Sequence, residues 1–308
     1  MRSHASPQKL NTHAAETTRG LPIAARKLCA YWALIKSRQT LLLLATGVAG
    51  YLSAQSHTAS LREAALMLLS LFAAISGTTA INMVLDRDID ARMARTANRP
   101  LPSGRVSPAE AVVFGSTLLA CGVGVALSMQ RVFGVVIAAG MLLDLVVYTL
   151  WLKRRSPWSI VLGGISGGMP VLAGRALSVG RVDGLGLLLA LSVLTWIPAH
   201  IMTIAMRYAD DYRAVGVPTW PTVHGFDAAR RFIAVANGVR IGALLLAGWL
   251  LRLGPYNLAL LGLSGTVMLG LSLRAVWHPS DELNDLLFKF ASVHMLGSMV
   301  VLTFGALT

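Results

Sequence analysis

Cysteine is nearly absent: Cys29 and Cys121 are the two in 308 residues, too few for a disulfide framework. Both lie in or beside apolar runs, where structural thiols are the default reading. Acidic residues are few as well, 14 Asp and Glu against 27 Lys and Arg, for a net charge of +13. In a soluble chain that excess would point to nucleic acid, but here the cations sort by loop and nucleic acid is not needed. The first 25 residues lack the apolar segment of a signal peptide. Met1 to Ala25 is polar, with Ser, Thr, His and Gln, and reads as a disordered, mobile cytoplasmic tail ahead of a single transmembrane domain at 26–308. A phosphate loop is excluded too, because no Gly-Lys-Ser/Thr follows the glycines at 163, 164, 167 and 168.

What the chain has is apolar sequence in long blocks. At 55% hydrophobic and a mean hydropathy of +0.63 it is too apolar for a soluble domain of its size. The expectation is an all-α integral membrane protein with about nine transmembrane helices of roughly 20 residues each. They fall near 34–54, 62–85, 109–128, 132–151, 158–178, 184–206, 230–252, 254–274 and 286–306. Arg26, Lys27, Lys36 and Arg38 precede or open the first span; Arg87, Arg92, Arg95, Arg99 and Arg105 follow the second; Lys153, Arg154 and Arg155 follow the fourth; Arg207, Arg213, Arg230 and Arg231 flank the loop after the sixth. The opposite loops carry only Arg62, Arg131, Arg175, Arg181 and Arg252. The excess of cations on one side makes that side, and the amino terminus with it, cytoplasmic, in the cell (inner) membrane.

The stretch from Asn82 to Gly104 carries the chemistry. Asn82, Asp86 and Asp90 recur at i, i+4 and i+8 where an apolar helix leaves hydrocarbon for water, so the three side chains share one face. Carboxylates so close repel one another, and a hard divalent cation such as Mg2+ relieves the repulsion. The arginines that follow suit the remaining oxygens of a metal diphosphate. Pro100-Leu101-Pro102-Ser103-Gly104 stops the helix, and Ser107 or Pro108 with Glu110 starts the next. A second acid site, Arg207-Tyr208-Ala209-Asp210-Asp211-Tyr212-Arg213, closes the sixth span on the same membrane side. Two such sites are able to grip one metal diphosphate between them.

Other residues leave alternatives open. Asp144 lies inside the fourth span, where a carboxylate is costly unless paired or facing a wet cavity, and nothing in the sequence names its partner. Gly163, Gly164, Gly167 and Gly168 before Pro170 read as close helix packing rather than ligand contact. His200, beside Pro198, reads first as an interhelical hydrogen bonder and second as a substrate contact. Lys36-Ser37-Arg38 suits lipid headgroups or a substrate anion equally.

Asn82-x-x-x-Asp86-x-x-x-Asp90, followed by Met93-x-Arg95-Thr96-x-x-Arg99-Pro100-Leu101-Pro102-x-Gly104, resembles the UbiA-type intramembrane prenyltransferase superfamily. Lys36-x-Arg38, Tyr148-Thr149 with Leu152-Lys153-Arg154, Gly163-Gly164 to Pro170, Pro198-x-His200, and Asp210-Asp211-Tyr212 with Gly216-Val217-Pro218 extend the likeness from about Tyr31 to Asn237 and favour the branch that farnesylates heme. The resemblance implies helices around a central cavity open sideways to lipid, a Mg2+ cofactor, and transfer of farnesyl from farnesyl diphosphate to a vinyl group of heme b. A downstream heme A synthase is the implied partner. Carried onto this chain, Asn82, Asp86 and Asp90 with Asp210 or Asp211 hold metal and act in catalysis. Arg95, Arg99, Lys153 and Arg207 hold diphosphate, and Lys36, Arg38, His200 and Tyr148 meet the acceptor. The nearest alternative is a sister transferase acting on an aromatic, quinone or lipid precursor. A membrane transporter is the alternative from another class.

Overall fold

The computed structural model describes residues 22–54 and 60–307. Most of the segment read as a tail lies outside the described residues, and its last three residues open the first helix. The helices are α1 (Ile23–Leu34), α2 (Ser37–Leu52), α3 (Leu61–Leu85), α4 (Arg87–Arg92), α5 (Pro108–Met129), α6 (Arg131–Leu152), α7 (Ser159–Val179), α8 (Gly184–Arg207), α9 (Ala209–Ala214), α10 (Trp220–His224), α11 (Phe226–Leu250), α12 (Pro255–Trp277) and α13 (Asp281–Leu307). Among the described residues there are eight helices long and apolar enough to cross a membrane: α3, α5, α6, α7, α8, α11, α12 and α13.

The expected first span is the exception. It is broken at Lys36, which takes a left-handed conformation (φ 44°, ψ 58°) between α1 and α2, leaving α2 only 16 residues long. A non-glycine residue at positive φ is uncommon and is held by its surroundings. Here Leu34 and Ile35 are buried just before it and Thr40 just after it, and the Thr40 hydroxyl donates to the Ile35 carbonyl at 2.6 Å. Packing on both sides of the break fixes the turn.

The long helices close a ring: α2 touches α3, then α5, α6, α7, α8, α11, α12 and α13 follow in contact order, and α13 returns to α2. Inside the ring α2 and α7 meet backbone to backbone. A Cβ on Gly50 would lie 2.0 Å from the Val171 carbonyl oxygen, and one on Gly174 would lie 2.0 Å from that of Gly47. The glycine run on α7 packs as expected, Gly163 against Tyr148, Gly167 against Ile197 and Gly168 against the Ala190 carbonyl. On this half of the ring Arg175, 8% exposed, clamps Asp183 through Nε at 2.9 Å and Nη2 at 2.7 Å, and reaches the Ser53 carbonyl at 2.9 Å. The other end of the ring gathers Lys36, Asp86, Lys153 and Arg207. Helix α5 begins there with Pro108 after a reciprocal cap, Ser107 Oγ accepting from the Glu110 amide at 3.2 Å while Ser107 N–H donates to Glu110 at 2.9 Å.

Two helices depart from α geometry. Leu143–Leu152 of α6 and Pro198–Met202 of α8 are π-helical, and the first ends with Lys153 N–H donating five residues back, to Tyr148, at 2.8 Å. Wide turns of this kind re-aim side chains and occur often at functional sites. Cys29 and Cys121 are free thiols exposed on the outer surface.

The α2–α7 contact yields a direct test. Gly174→Ala puts a methyl into the backbone of α2 and should destabilise the detergent-purified protein by about 1–3 kcal/mol. Gly124→Ala, where a Cβ meets nothing within 4 Å, should leave the melting temperature unchanged or raise it. Thermal melts of the two variants beside wild type check the difference.

Candidate active site

The second span ends at Leu85 and the chain turns at Asp86 (φ −93°, ψ 1°) into the six-residue helix α4. Backbone bonds bridge the turn, from Asp86 N–H to Asn82 at 3.0 Å and from Asp90 N–H to Asp86 at 2.8 Å, so the expected one-turn spacing of the three polar residues survives the kink. All three are buried: Asn82 is 9% exposed, Asp86 1% and Asp90 4%. A buried carboxylate is costly unless paired, and each acid here has its own cation. Lys153 Nζ bonds Asp86, Arg99 Nη1 bonds Asp90 at 2.7 Å, and Arg154 forks onto the exposed Asp88 at 2.8 and 2.7 Å while also donating to the Leu85 carbonyl at 3.0 Å. The Arg154 hydrogen bond holds the Asp88 carboxyl below its usual range. Burial works against the Lys153 charge, but neighbouring Tyr148 and Asp86 outweigh it and raise the ammonium above the ordinary lysine value.

The loop beyond α4 is built to return Arg99 to Asp90. The Thr96 hydroxyl, buried, donates to the Asp90 carbonyl at 3.0 Å, and Leu101 and Val106 are anchored in a small core with Ala30, Leu34, Ala80, Met83 and Ala111. Gly104 makes the exit turn at φ 71°, a conformation side chains disfavour.

The second acid loop has the same construction. Helix α8 ends at Arg207, Tyr208 breaks it (φ −112°, ψ 31°), and the six-residue α9 follows. The two loops touch: Ile89 and Met93 form one buried cluster with Val215 and Val217, against which Tyr212 packs. The arginines converge as well. Arg95 lies over the Tyr208 ring at 5.5 Å and Arg207 over it at 5.9 Å, and both line a cavity of about 250 Å³ with Thr203, Asn284, Asp285 and Phe288. Arg207 is bonded to Asp285 at 2.8 Å, whereas Arg95 Nε is buried without a partner.

The expected site residues do not all share this arrangement. Asp210 is 97% exposed along its side chain and paired with Arg213 at 2.7 Å, so it faces away, whereas neighbouring Asp211 buries Oδ2 without a partner. Lys36 stands among Asp86, Asp144, Lys153 and Arg99, within reach of their charges. Arg38 is exposed and lines a surface pocket of about 330 Å³ with Lys36 and Trp32. The Tyr148 ring lies 5.6 Å from Lys153 Nζ. His200 is sandwiched between Trp196 and Phe288, ring centroids 4.7 and 4.6 Å away, and its Nδ1 shares a hydrogen bond with Ser292 on α13 at 3.2 Å. That is the interhelical bond expected of it, and Phe288 sets it at the wall of the arginine cavity. Sequence reasoning missed Arg154, Thr149, Tyr208 and Asp285. Arg154, Thr149 and Tyr208 lie inside the motifs Lys153-Arg154-Arg155, Tyr148-Thr149 and Arg207 to Arg213, but which of their side chains points inward depends on the phase of the π-helical turn and on packing, and Asp285 carries no sequence signal.

The donor set suits a hard cation. Asp86 Oδ1 and Asp211 Oδ2 are buried and unpartnered, one in each loop. Among the described residues no three His, Cys, Asp or Glu side chains gather as a closed metal cluster. Mg2+ does not require one, since it is commonly held by one or two carboxylates with water and substrate phosphates completing its shell.

Comparison with known proteins follows the same lines. The model of the UbiA prenyltransferase family matches residues 43–294. The chain is 42% identical over 236 residues to the protoheme IX farnesyltransferase of Korarchaeum cryptofilum, covering 76% of this chain and 79% of that one. It is 41% identical over 237 residues to the protoheme IX farnesyltransferase of Archaeoglobus fulgidus, covering 76% and 82%. Among solved structures, a digeranylgeranylglyceryl phosphate synthase superposes with a TM-score of 0.75 at 20% identity, covering 91% of this chain and 99% of that one. A UbiA homolog from Archaeoglobus fulgidus bound to GPP and Mg2+ superposes at 0.65 with 16% identity, covering 89% and 99%. With an all-helical ring, two acid-bearing loops packed together at one end and matched relatives across most of its length, the chain is an integral membrane protein that belongs to the UbiA prenyltransferase family.

Proposed function

We propose that this protein transfers the farnesyl group of farnesyl diphosphate to a vinyl group of heme b, yielding heme O on the route to heme A. The observation that carries the reading is the shared core of Ile89, Met93, Val215 and Val217, which holds the two acid loops side by side. The matched relatives named protoheme IX farnesyltransferase supply the substrates. We infer that the charged end of the ring faces the cytoplasm, which its excess of loop cations supports, with the amino terminus on the same side and the cell membrane as the membrane spanned.

Asn82, Asp86, Asp90 and Asp211 are the residues that would hold Mg2+, which, when bound, would neutralise the charge of the departing diphosphate. Asp210, turned outward to Arg213, is left out of the set. Arg95, Arg99, Lys153 and Arg207 take the phosphate oxygens that remain. These cations sit at the edge of a low-dielectric interior, where fixed charges stabilise a developing anion far better than water does. As the allylic C–O bond breaks, the pair of electrons leaves with the diphosphate. The vinyl group attacks the allylic cation, water captures the resulting carbocation, and a proton is lost to give the hydroxyl. Lys36, at the helix break and within reach of the Asp86 charge, would meet a carboxylate of the porphyrin, with Arg38 next to it on the surface and with Tyr148 and His200 lining the acceptor. A downstream heme A synthase would consume the product.

Asp86→Asn keeps the shape of the side chain and should lower transfer by roughly 10²–10³-fold, measured on the membrane-inserted, folded fraction because the loss of the Lys153 pair also lowers stability. Turnover at the wild-type rate would remove the metal role of this residue. Membranes containing the protein, given radiolabelled farnesyl diphosphate with Mg2+, should label heme b and leave 4-hydroxybenzoate unlabelled. The mass of the product should equal heme plus farnesyl plus water. Label on 4-hydroxybenzoate instead would assign the chain to the aromatic branch, and uptake of substrate into vesicles without diphosphate release would assign it to transport.

A further inference from the structure

The π-helical end of α6 performs a task that neither acid loop performs for itself. An asparagine side chain is ambiguous as a ligand, because its amide presents a carbonyl oxygen at one end and an NH2 group at the other, and only the oxygen binds a cation. Which end faces the acids is decided by the hydrogen bonds the amide makes. Asn82 Nδ2 lies 2.8 Å from Thr149 Oγ1 and 3.4 Å from Asp144 Oδ2. Thr149 is 2% exposed, and its hydroxyl donates to the Asp144 carbonyl, five residues back, at 2.8 Å. A hydroxyl has one proton. With that proton committed to Asp144, Thr149 Oγ1 is able only to accept from Asn82, so the amide must point its NH2 toward α6 and turn Oδ1 away from Thr149.

From this arrangement we infer that Thr149 is a positioning residue that locks the Asn82 amide with its carbonyl oxygen presented for metal binding. The inference rests on the metal role of Asn82 given above. Its local cause is the wide turn of Leu143–Leu152, which sets the Thr149 hydroxyl against the Asp144 carbonyl and toward α3 at once. The Asp144 carboxylate reinforces the orientation as a second acceptor for the NH2 group. An intramembrane acid for which the sequence names no partner thus acts on the site through an amide. Outer-shell partners that orient a metal ligand typically alter metal affinity by 10–100-fold when removed.

The test measures metal binding without turnover. The full chain, purified in detergent, is titrated with Mn2+ in the presence of inorganic diphosphate, and bound metal is followed by electron paramagnetic resonance. Thr149→Val keeps the shape and removes the hydroxyl; it should weaken Mn2+ binding about tenfold or more at an unchanged melting temperature. Thr149→Ser restores the hydroxyl and should bind within about twofold of wild type. Thr149→Ala, which only removes atoms, should weaken binding as Val does if Val crowds the turn and lowers stability. Equal binding by the Val, Ala and Ser variants and wild type, in a protein whose Asp86→Asn variant binds poorly, overturns the positioning role while leaving the metal site standing. Undiminished binding by Asp86→Asn overturns both.

Discussion

The arrangement depends on one buried ion pair. Asp86 stands where the second span meets water, 1% exposed, and a bare carboxylate there would carry the full cost of desolvation. Lys153, arriving from the end of α6, neutralises it, and Arg154, next in the chain, reaches past to Asp88 and to the carbonyl that ends α3. The requirement to compensate acids at a low-dielectric boundary therefore fixes α6 against the acid loop, and Arg99 closes that loop back onto Asp90. Lys153 and Arg99, which neutralise Asp86 and Asp90, are also two of the four cations proposed for the diphosphate.

Two long helices reach this end of the ring and finish alike, each with a one-residue break and a six-residue helix, at Asp86 and at Tyr208. The repetition brings acids from distant parts of the chain to one place, and the small apolar core between the short helices sets their separation. At the other end the chain uses different means. Backbone contact between α2 and α7 and the clamp of Arg175 on Asp183 and Ser53 tie that half together. Rigidity sits away from the chemistry, and charge sits at it.

Much of this was legible in the letters. The i, i+4, i+8 spacing of Asn82, Asp86 and Asp90 survives because backbone hydrogen bonds continue across the kink. The arginine-rich loop and the proline stop also do what their residue types dictate, and hydropathy alone located eight of the spans. The rest depends on tertiary context. The break at Lys36 carries no glycine or proline to announce it. The π-helical turns have the same hydropathy as α-helix, yet they decide where Thr149 and Lys153 point. Which of Asp210 and Asp211 turns inward is a matter of rotation by a single residue around a short helix, which the sequence pattern does not give. Asp144 was flagged as costly, but its partner lies 62 residues back, at Asn82.

The central claim is that both acid loops hold one metal diphosphate. A structure determined in lipid with Mg2+ and a non-cleavable analogue of farnesyl diphosphate tests it most directly. The account predicts a diphosphate bridged through metal to Asp86 in the first loop and Asp211 in the second, with Arg95 and Arg207 on its oxygens. A diphosphate held by one loop alone, with the other acid still turned to its own protein partners, would contradict it.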